Sequence, residues 1–274
     1  MNRDEALTIP RELFLVPALS LWRRETVRFL RQRSRVVGAL GTPLVFWLLI
    51  GGGIGRSFQS PGTTETNVGS NYLQYSFPGT MALIVLFTSI FAMISVIEDR
   101  REGFMQAVVA APVHRLAIVM GKILGSTTLA VGQALVFLLL APLAGLPLSA
   151  GSFALSAGIL VVVAVGLSGL GFVIAWPMDS TQGFHAVMNL FLIPMWLLSG
   201  ALFPATGAAG WIAWLMRLNP LTYGVSAIRW GMLGAGGEAG AHGPSPAFSL
   251  MISAVFAVGM TIFAAVVVDR TRVR

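Results

Sequence analysis

A chain of 274 residues that is 55% hydrophobic and only 11% charged, with a mean hydropathy of +0.80, is an integral membrane protein rather than a soluble domain with one anchor. The net charge of +7 would suggest nucleic acid in a soluble protein, but in a membrane protein the placement of Lys and Arg carries the information, and no nucleic-acid partner is expected. The absence of cysteine excludes disulfides, thiolate metal sites and cysteine nucleophiles.

Residues 1–35 form a cytoplasmic arm with eight arginines and no uninterrupted apolar core before Val36, which argues against a cleaved signal peptide. At helical spacing Trp22, Phe29 and Leu30 cluster with Leu19, while Arg24, Arg28, Arg31 and Arg35 form a stripe on the other side. That pattern predicts an amphipathic helix in the membrane interface, with lipid as its partner.

Six apolar segments follow, at about 36–55, 77–97, 123–146, 153–175, 186–203 and 247–268. None contains Asp, Glu, Lys or Arg; Gln133 and Asn189 are the clear polar side chains beyond Ser and Thr. Carriers coupled to ions place ionisable groups at membrane depth, so transport by this chain would draw its energy from motion delivered through the cytoplasmic surface. With the N-terminus inside, fifteen basic residues fall on the cytoplasmic side and Arg56, Arg217 and Arg229 outside, which places both termini in the cytoplasm. Tyr72, Tyr75 and Tyr223 then fall at the outer boundary, where amphipathic rings prefer the headgroup region.

The inner loop at 98–122, EDRREGFMQAVVAAPVHRLAIVMGK, is too long for a tight turn and too apolar for a solvated one. Glu98 to Glu102 read as a solvated ion-pair cluster rather than a metal site. Gly103 permits a change of direction, and Phe104, Val108 and Ala111 follow at helical spacing until Pro112. A short helix parallel to the membrane with an apolar face needs something to bury that face, either a partner or, as the alternative, the protein's own interfacial packing. The second inner loop, at 176–185, is short; its Asp179, Thr181 and Gln182 are read as caps of the next helix.

From Ala186 to Leu233 the apolar stretch cannot be one helix, because Pro194, Pro204 and Pro220 interrupt it and Arg217 and Arg229 sit in its second half. It spans once, breaks at PATGAAG, and folds back as two pieces too short to cross, WIAWLMRL and LTYGVSAIRWGML, joined at Asn219-Pro220. Arg217 and Arg229 are expected to reach headgroups or water, with Trp211, Trp214, Tyr223 and Trp230 at the outer interface.

The run LSGALFPATGAAGWIAWLMRLNPLTYGVSAIRWGML, together with the loop 98–122, resembles the ABC-2-type exporter permeases, the membrane subunits of one branch of ATP-binding-cassette transporters. The resemblance implies an all-α membrane protein of six transmembrane helices, with an interfacial N-terminal helix and a re-entrant outer hairpin between spans five and six. It implies a homodimer served by a separately encoded ABC ATPase that holds the ATP and Mg, and an outward-moving hydrophobic or amphipathic substrate. It assigns ATPase coupling to Glu98, Arg101, Glu102, Gly103, Phe104, Val108, Pro112 and Arg115, and the outer hairpin or gate to Pro204, Trp211, Trp214, Asn219, Pro220 and Tyr223. Phe46, Trp47, Phe87, Phe191 and Trp196 are candidates for the substrate path, each open to the alternative of plain packing. The chain has no G-x-x-x-x-G-K-[ST] phosphate loop and no H-E-x-x-H, so no catalytic residue, metal or cofactor is expected in it. Seventeen arginines against one lysine hint at a bacterial source, and hence an inner-membrane location. A non-transporting scaffold subunit and a secondary carrier stay open as alternatives.

Overall fold

The computed structural model describes residues 11–54, 68–110, 113–205, 208–234 and 244–270, and among these every regular element is a helix. In chain order they are α1 (Arg11–Arg31), α2 (Arg33–Ile54), α3 (Val68–Phe91), α4 (Ile94–Arg101), α5 (Phe104–Ala110), α6 (Arg115–Leu138), a 3-10 turn (Ala141–Ala144), α7 (Ala150–Ala175), α8 (Thr181–Leu197), α9 (Gly210–Leu218), α10 (Pro220–Leu233) and α11 (Pro246–Arg270). Among the described residues, four stretches are long and apolar enough to cross a membrane: Tyr72–Arg101, which runs through α3 and α4, then α6, α7 and α11. The apolar part of α2, Leu40–Ile50, is shorter. Helix α8, with 17 residues, is about 26 Å long against a hydrocarbon core of about 30 Å.

Helix α3 is the centre of the bundle, flanked by α2, α6, α7, α8 and α10, and Phe77, Met81, Ile84, Leu86 and Ile90 on it are fully buried. The ends of the helices sort by chemistry. At one end Arg100 of α4 donates to the Trp176 carbonyl that closes α7, and Arg115 of α6 donates to the carbonyls of Val268 (3.3 Å) and Asp269 (2.9 Å) at the C-terminal end of α11. At the other, Gln74 of α3 donates to Gly145 beyond α6, and Tyr75 donates to Gly200 beyond α8. Consecutive long helices therefore run in alternate directions.

Glycines let these helices approach. A Cβ on Gly121 or Gly125 of α6 would lie 2.7 Å from Leu21 or 2.8 Å from Glu25 of α1, so the G-x-x-x-G spacing is a bed for the N-terminal helix. Of the apolar face expected on α1, Trp22 and Phe29 are half-buried while Leu19 and Leu30 stay exposed; the residues buried against α6 are Ala18 and Leu21.

Several boundaries differ from those the hydropathy pattern predicts. The third segment is displaced toward the N-terminus: α6 starts at Arg115, capped by His114 Nδ1, which accepts from the Leu116 amide at 3.2 Å. The fifth starts earlier and ends at Leu197, because Ser180 caps it and Gly200, with φ of +76°, turns the chain out. Ser180 takes the capping role expected of Asp179, Thr181 or Gln182, and Asp179 instead pairs with Arg100 at 3.3 Å.

Candidate functional site

The charged end of the bundle carries the first site. Glu102 closes α4, and Gly103, in the left-handed region at φ of +76°, swings the chain into the seven-residue helix α5. The residues before this turn were expected to be solvated. Asp99 is instead fully buried, because helix α1, lying in the glycine bed of α6, brings its own charges over it.

Three cations converge on the Asp99 carboxylate. Arg24 of α1 donates to both of its oxygens, Nη1 to Oδ2 at 2.8 Å and Nη2 to Oδ1 at 2.6 Å. Arg28, one turn on, donates Nη1 to Oδ1 at 3.1 Å and Nη2 to Glu98 at 2.8 Å, and lies 3.7 Å from Glu102. Lys122 of α6 donates to Asp99, to Glu25 of α1 at 2.7 Å and to the Ser95 hydroxyl at 3.1 Å. Lys122 was expected in a cytoplasmic loop, yet its side chain is 1% exposed. It can be buried because Glu25 and Asp99 both neutralise it. The charge-assisted bonds to Asp99 raise Arg24 above the ordinary guanidinium range, against the opposing effect of burial. The same guanidinium covers the ring of Phe104, the first residue of α5, at 3.9 Å. The cluster thus joins α1, α4, α5 and α6.

Helix α5 presents a different face from the expected one. Met105 is buried and Phe104 and Val108 pack half-buried against the bundle core, so the apolar side is turned inward. Its exposed side is Gln106 and Ala107, continued by Arg101 and Glu102 before the turn. Pro112 lies outside the described residues. Arg115 is occupied with α11 as described above, 4.0 Å from the Asp269 carboxylate.

A second feature is an apolar cavity of about 530 Å³ beside α3. Of the candidate path residues it collects Phe46 of α2, Phe87 of α3 and Trp196 of α8, together with Phe29, Phe91 and His185. Trp47 points elsewhere, into a buried cluster 5.4 Å from Phe77 and 5.6 Å from Phe137, with its indole N–H donating to the Leu73 carbonyl at 3.1 Å. Phe191 is exposed on another side of α8 and is not part of the lining.

At the opposite end α9 and α10 form a hairpin about Asn219. Its Oδ1 accepts the Leu221 amide at 3.0 Å, capping α10 with Pro220 at the first helical position, while Nδ2 donates to the Met195 carbonyl of α8 at 2.5 Å. Tyr223 donates to the Arg217 carbonyl at 2.8 Å and meets Phe248 of α11 edge-on at 5.6 Å. Trp211 and Trp214 of α9 are exposed, and Pro204 is half-buried in the connection from α8. Two aromatic and charged side chains depart from expectation. Trp230 packs against the core. Arg229 turns inward instead of reaching headgroups: it donates to the carbonyls of Tyr75 and Gly200, both at 3.3 Å, and its guanidinium lies 4.4 Å from the centre of the Tyr75 ring.

Sequence reasoning named Glu98, Glu102, Gly103 and Phe104 at the charged end but missed Glu25, Asp99 and Lys122 as a buried cluster. One signal was present: Lys122 interrupts the apolar run from Leu116 to Leu124, where a solvated lysine would be out of place.

Comparison with known proteins agrees with this architecture. The chain is 24% identical over 231 residues to a protein named as a transport permease, ycf38, of Cyanophora paradoxa, covering 84% of this chain and 78% of that one. It is 28% identical over 155 residues to a protein named as a multidrug ABC transporter permease, YbhR, of Escherichia coli, covering 55% of this chain and 42% of that one. Over 171 residues it is 29% identical to ABC transporter G family member 20 of Dictyostelium discoideum, covering 61% of this chain but 23% of that longer protein. The family model described as ABC-2 type transporter matches residues 18–233, from the α1 surface that docks on α6 to the end of α10, and the chain therefore belongs to the ABC-2 type transporter family as a membrane permease.

Proposed function

We propose that this chain is the membrane half of an ABC exporter, working as a homodimer with a separately encoded ABC ATPase that docks on α5 and supplies the ATP hydrolysis. The observation that carries the reading is the placement of α5. It is a short helix at the charged end of the bundle, its apolar side anchored in the core and its outer side, Gln106 and Ala107, free to meet a partner. Motion delivered there would pass through the buried Asp99 cluster to α1, α4 and α6 together. Six spans are supported if α2 and α8 cross beside the four longer stretches, with α9 and α10 as a re-entrant hairpin in the outer leaflet. In that arrangement the charged end and both termini are cytoplasmic, in a bacterial inner membrane.

The cavity lined by Phe46, Phe87 and Trp196 supports a hydrophobic or amphipathic substrate moved outward, since its wall is mostly aromatic and aliphatic with only Thr42, Thr88 and His185 as polar side chains. The closing hairpin, exposing Trp211 and Trp214, would shape the exit.

The test is the exposed side of α5. Ala107→Trp places a large ring there without disturbing the buried side of the helix. Co-purification of its separately encoded ABC ATPase should fall about tenfold, while the yield and melting temperature of the permease hold. If the complex assembles with Ala107→Trp as it does with the parent, the ATPase docks elsewhere and this reading is wrong.

A further inference from the structure

Arg24 bonds Asp99 and, at 3.2 Å, its neighbour Glu25, and its guanidinium also lies over the ring of Phe104; the pairing of Asp99 with Phe104 is informative. Its planar guanidinium is fixed edge-on by the two oxygens of Asp99, which is itself fully buried and held from the other side by Lys122. The geometry of a two-pronged bond leaves one face of the guanidinium with a set orientation. Its Cζ lies over the ring of Phe104, 3.9 Å from the ring centre. Phe104 directly follows Gly103, which with Glu102 links α4 to α5; Met105 and Val108 hold the body of α5 against the core, but a glycine pivot at φ of +76° does little to fix the direction of its first turn. The side-chain clamp supplies what the pivot lacks.

We propose that Arg24 is a positioning residue for ATPase coupling: clamped by Asp99, it sets the angle of α5 through the face of Phe104, so that the N-terminal helix determines how the docking helix is presented. The proposal rests on α5 being the ATPase contact. It needs the cation and the two-pronged bond together, because a lysine could pair with Asp99 but not through the two parallel bonds that hold the charge over the ring. It also explains why α1 is pressed so closely on α6 at Gly121 and Gly125, since any withdrawal of α1 would lift Arg24 from both partners.

A double-mutant cycle on the full chain reconstituted in vesicles with its ATPase tests this. The affinity for the ATPase is measured for Phe104→Leu, Arg24→Lys and the combination, with Phe104→Trp as the restoring variant and the permease melting temperature recorded for each. Phe104→Leu should weaken association by roughly three- to thirtyfold, and Phe104→Trp should restore it. Arg24→Lys should weaken it comparably, and the combination should lose little more than either alone, because both remove one clamp. Additive losses would overturn the proposal and show that Phe104 touches the ATPase directly. Parent-like affinity of both single variants would also overturn it, even if their melting temperatures fell. The docking reading fails separately: if Ala107→Trp binds the ATPase normally, α5 is not the contact, whatever the cycle shows.

Discussion

At the scale of single residues, the buried cluster sets the largest penalties. Lys122 is taken out of water only because Glu25 and Asp99 meet it, and removing one partner leaves a charge stranded in a low-dielectric interior. Lys122→Met should therefore cost about 3–5 kcal/mol of stability, seen as a lower melting temperature of the purified permease and a loss of folded yield. In the combined Asp99→Leu and Lys122→Met variant the buried Glu25 keeps its 3.2 Å pair with Arg24 but loses Lys122, and Arg24 loses its two-pronged bond, so apolar replacement of the central pair alone should not restore the parent's stability. Arg101, exposed and without an ion-pair partner among the described residues, is the contrast: Arg101→Ala should change stability by less than about 0.5 kcal/mol. The residue scale is also where the sequence was hardest to read. A run such as EDRRE has the composition of a solvated loop, and only the approach of α1 through two glycines of α6 converts its Asp99 into a core residue. Nothing local to 98–102 records that approach.

At the scale of elements, the chain's own pattern went further. The turn at Gly103 and the Asn219-Pro220 junction were both legible, because each rests on a backbone requirement that one or two residue types meet. The ends of α6 and α8 were not, because hydropathy marks apolar segments and says nothing of the caps at His114 and Ser180 that begin the helices. Gly125→Leu should separate α1 from α6, since even a Cβ there lies 2.8 Å from Glu25. In a chain without native cysteines, a cysteine at Glu25 in that background should become reactive to a thiol reagent, whereas in the parent background it should be protected. Equal protection in both would mean that the bed tolerates a side chain. For the hairpin, Trp214 is exposed on α9, so Trp214→Ala should leave ATPase association and folding unchanged while altering export or its coupling to hydrolysis. Reduced folded protein with unaltered export would identify α9 as an anchor.

At the scale of the whole molecule, the account claims a polarity: one charged end built from α1, α4, α5, the N-terminal half of α6 and the C-terminal end of α11, and an opposite end closed by α9 and α10. The clustering of charged residues in the arm and in the loop 98–122 carried that polarity in advance. The aromatic cavity was foreshadowed only in part; Phe46, Phe87 and Trp196 meet in it, but Trp47, one residue from Phe46, points to a different neighbour because adjacent positions on a helix face about 100° apart. Site-specific photo-cross-linking in intact membranes tests the polarity and its purpose together, with a photoreactive residue at Gln106 on the exposed side of α5 or at Leu143 in the 3-10 turn at the other end. The account predicts an adduct between the permease and its ATPase from Gln106 and none from Leu143; an adduct from Leu143, or none from Gln106 in an assembled and active complex, would contradict it.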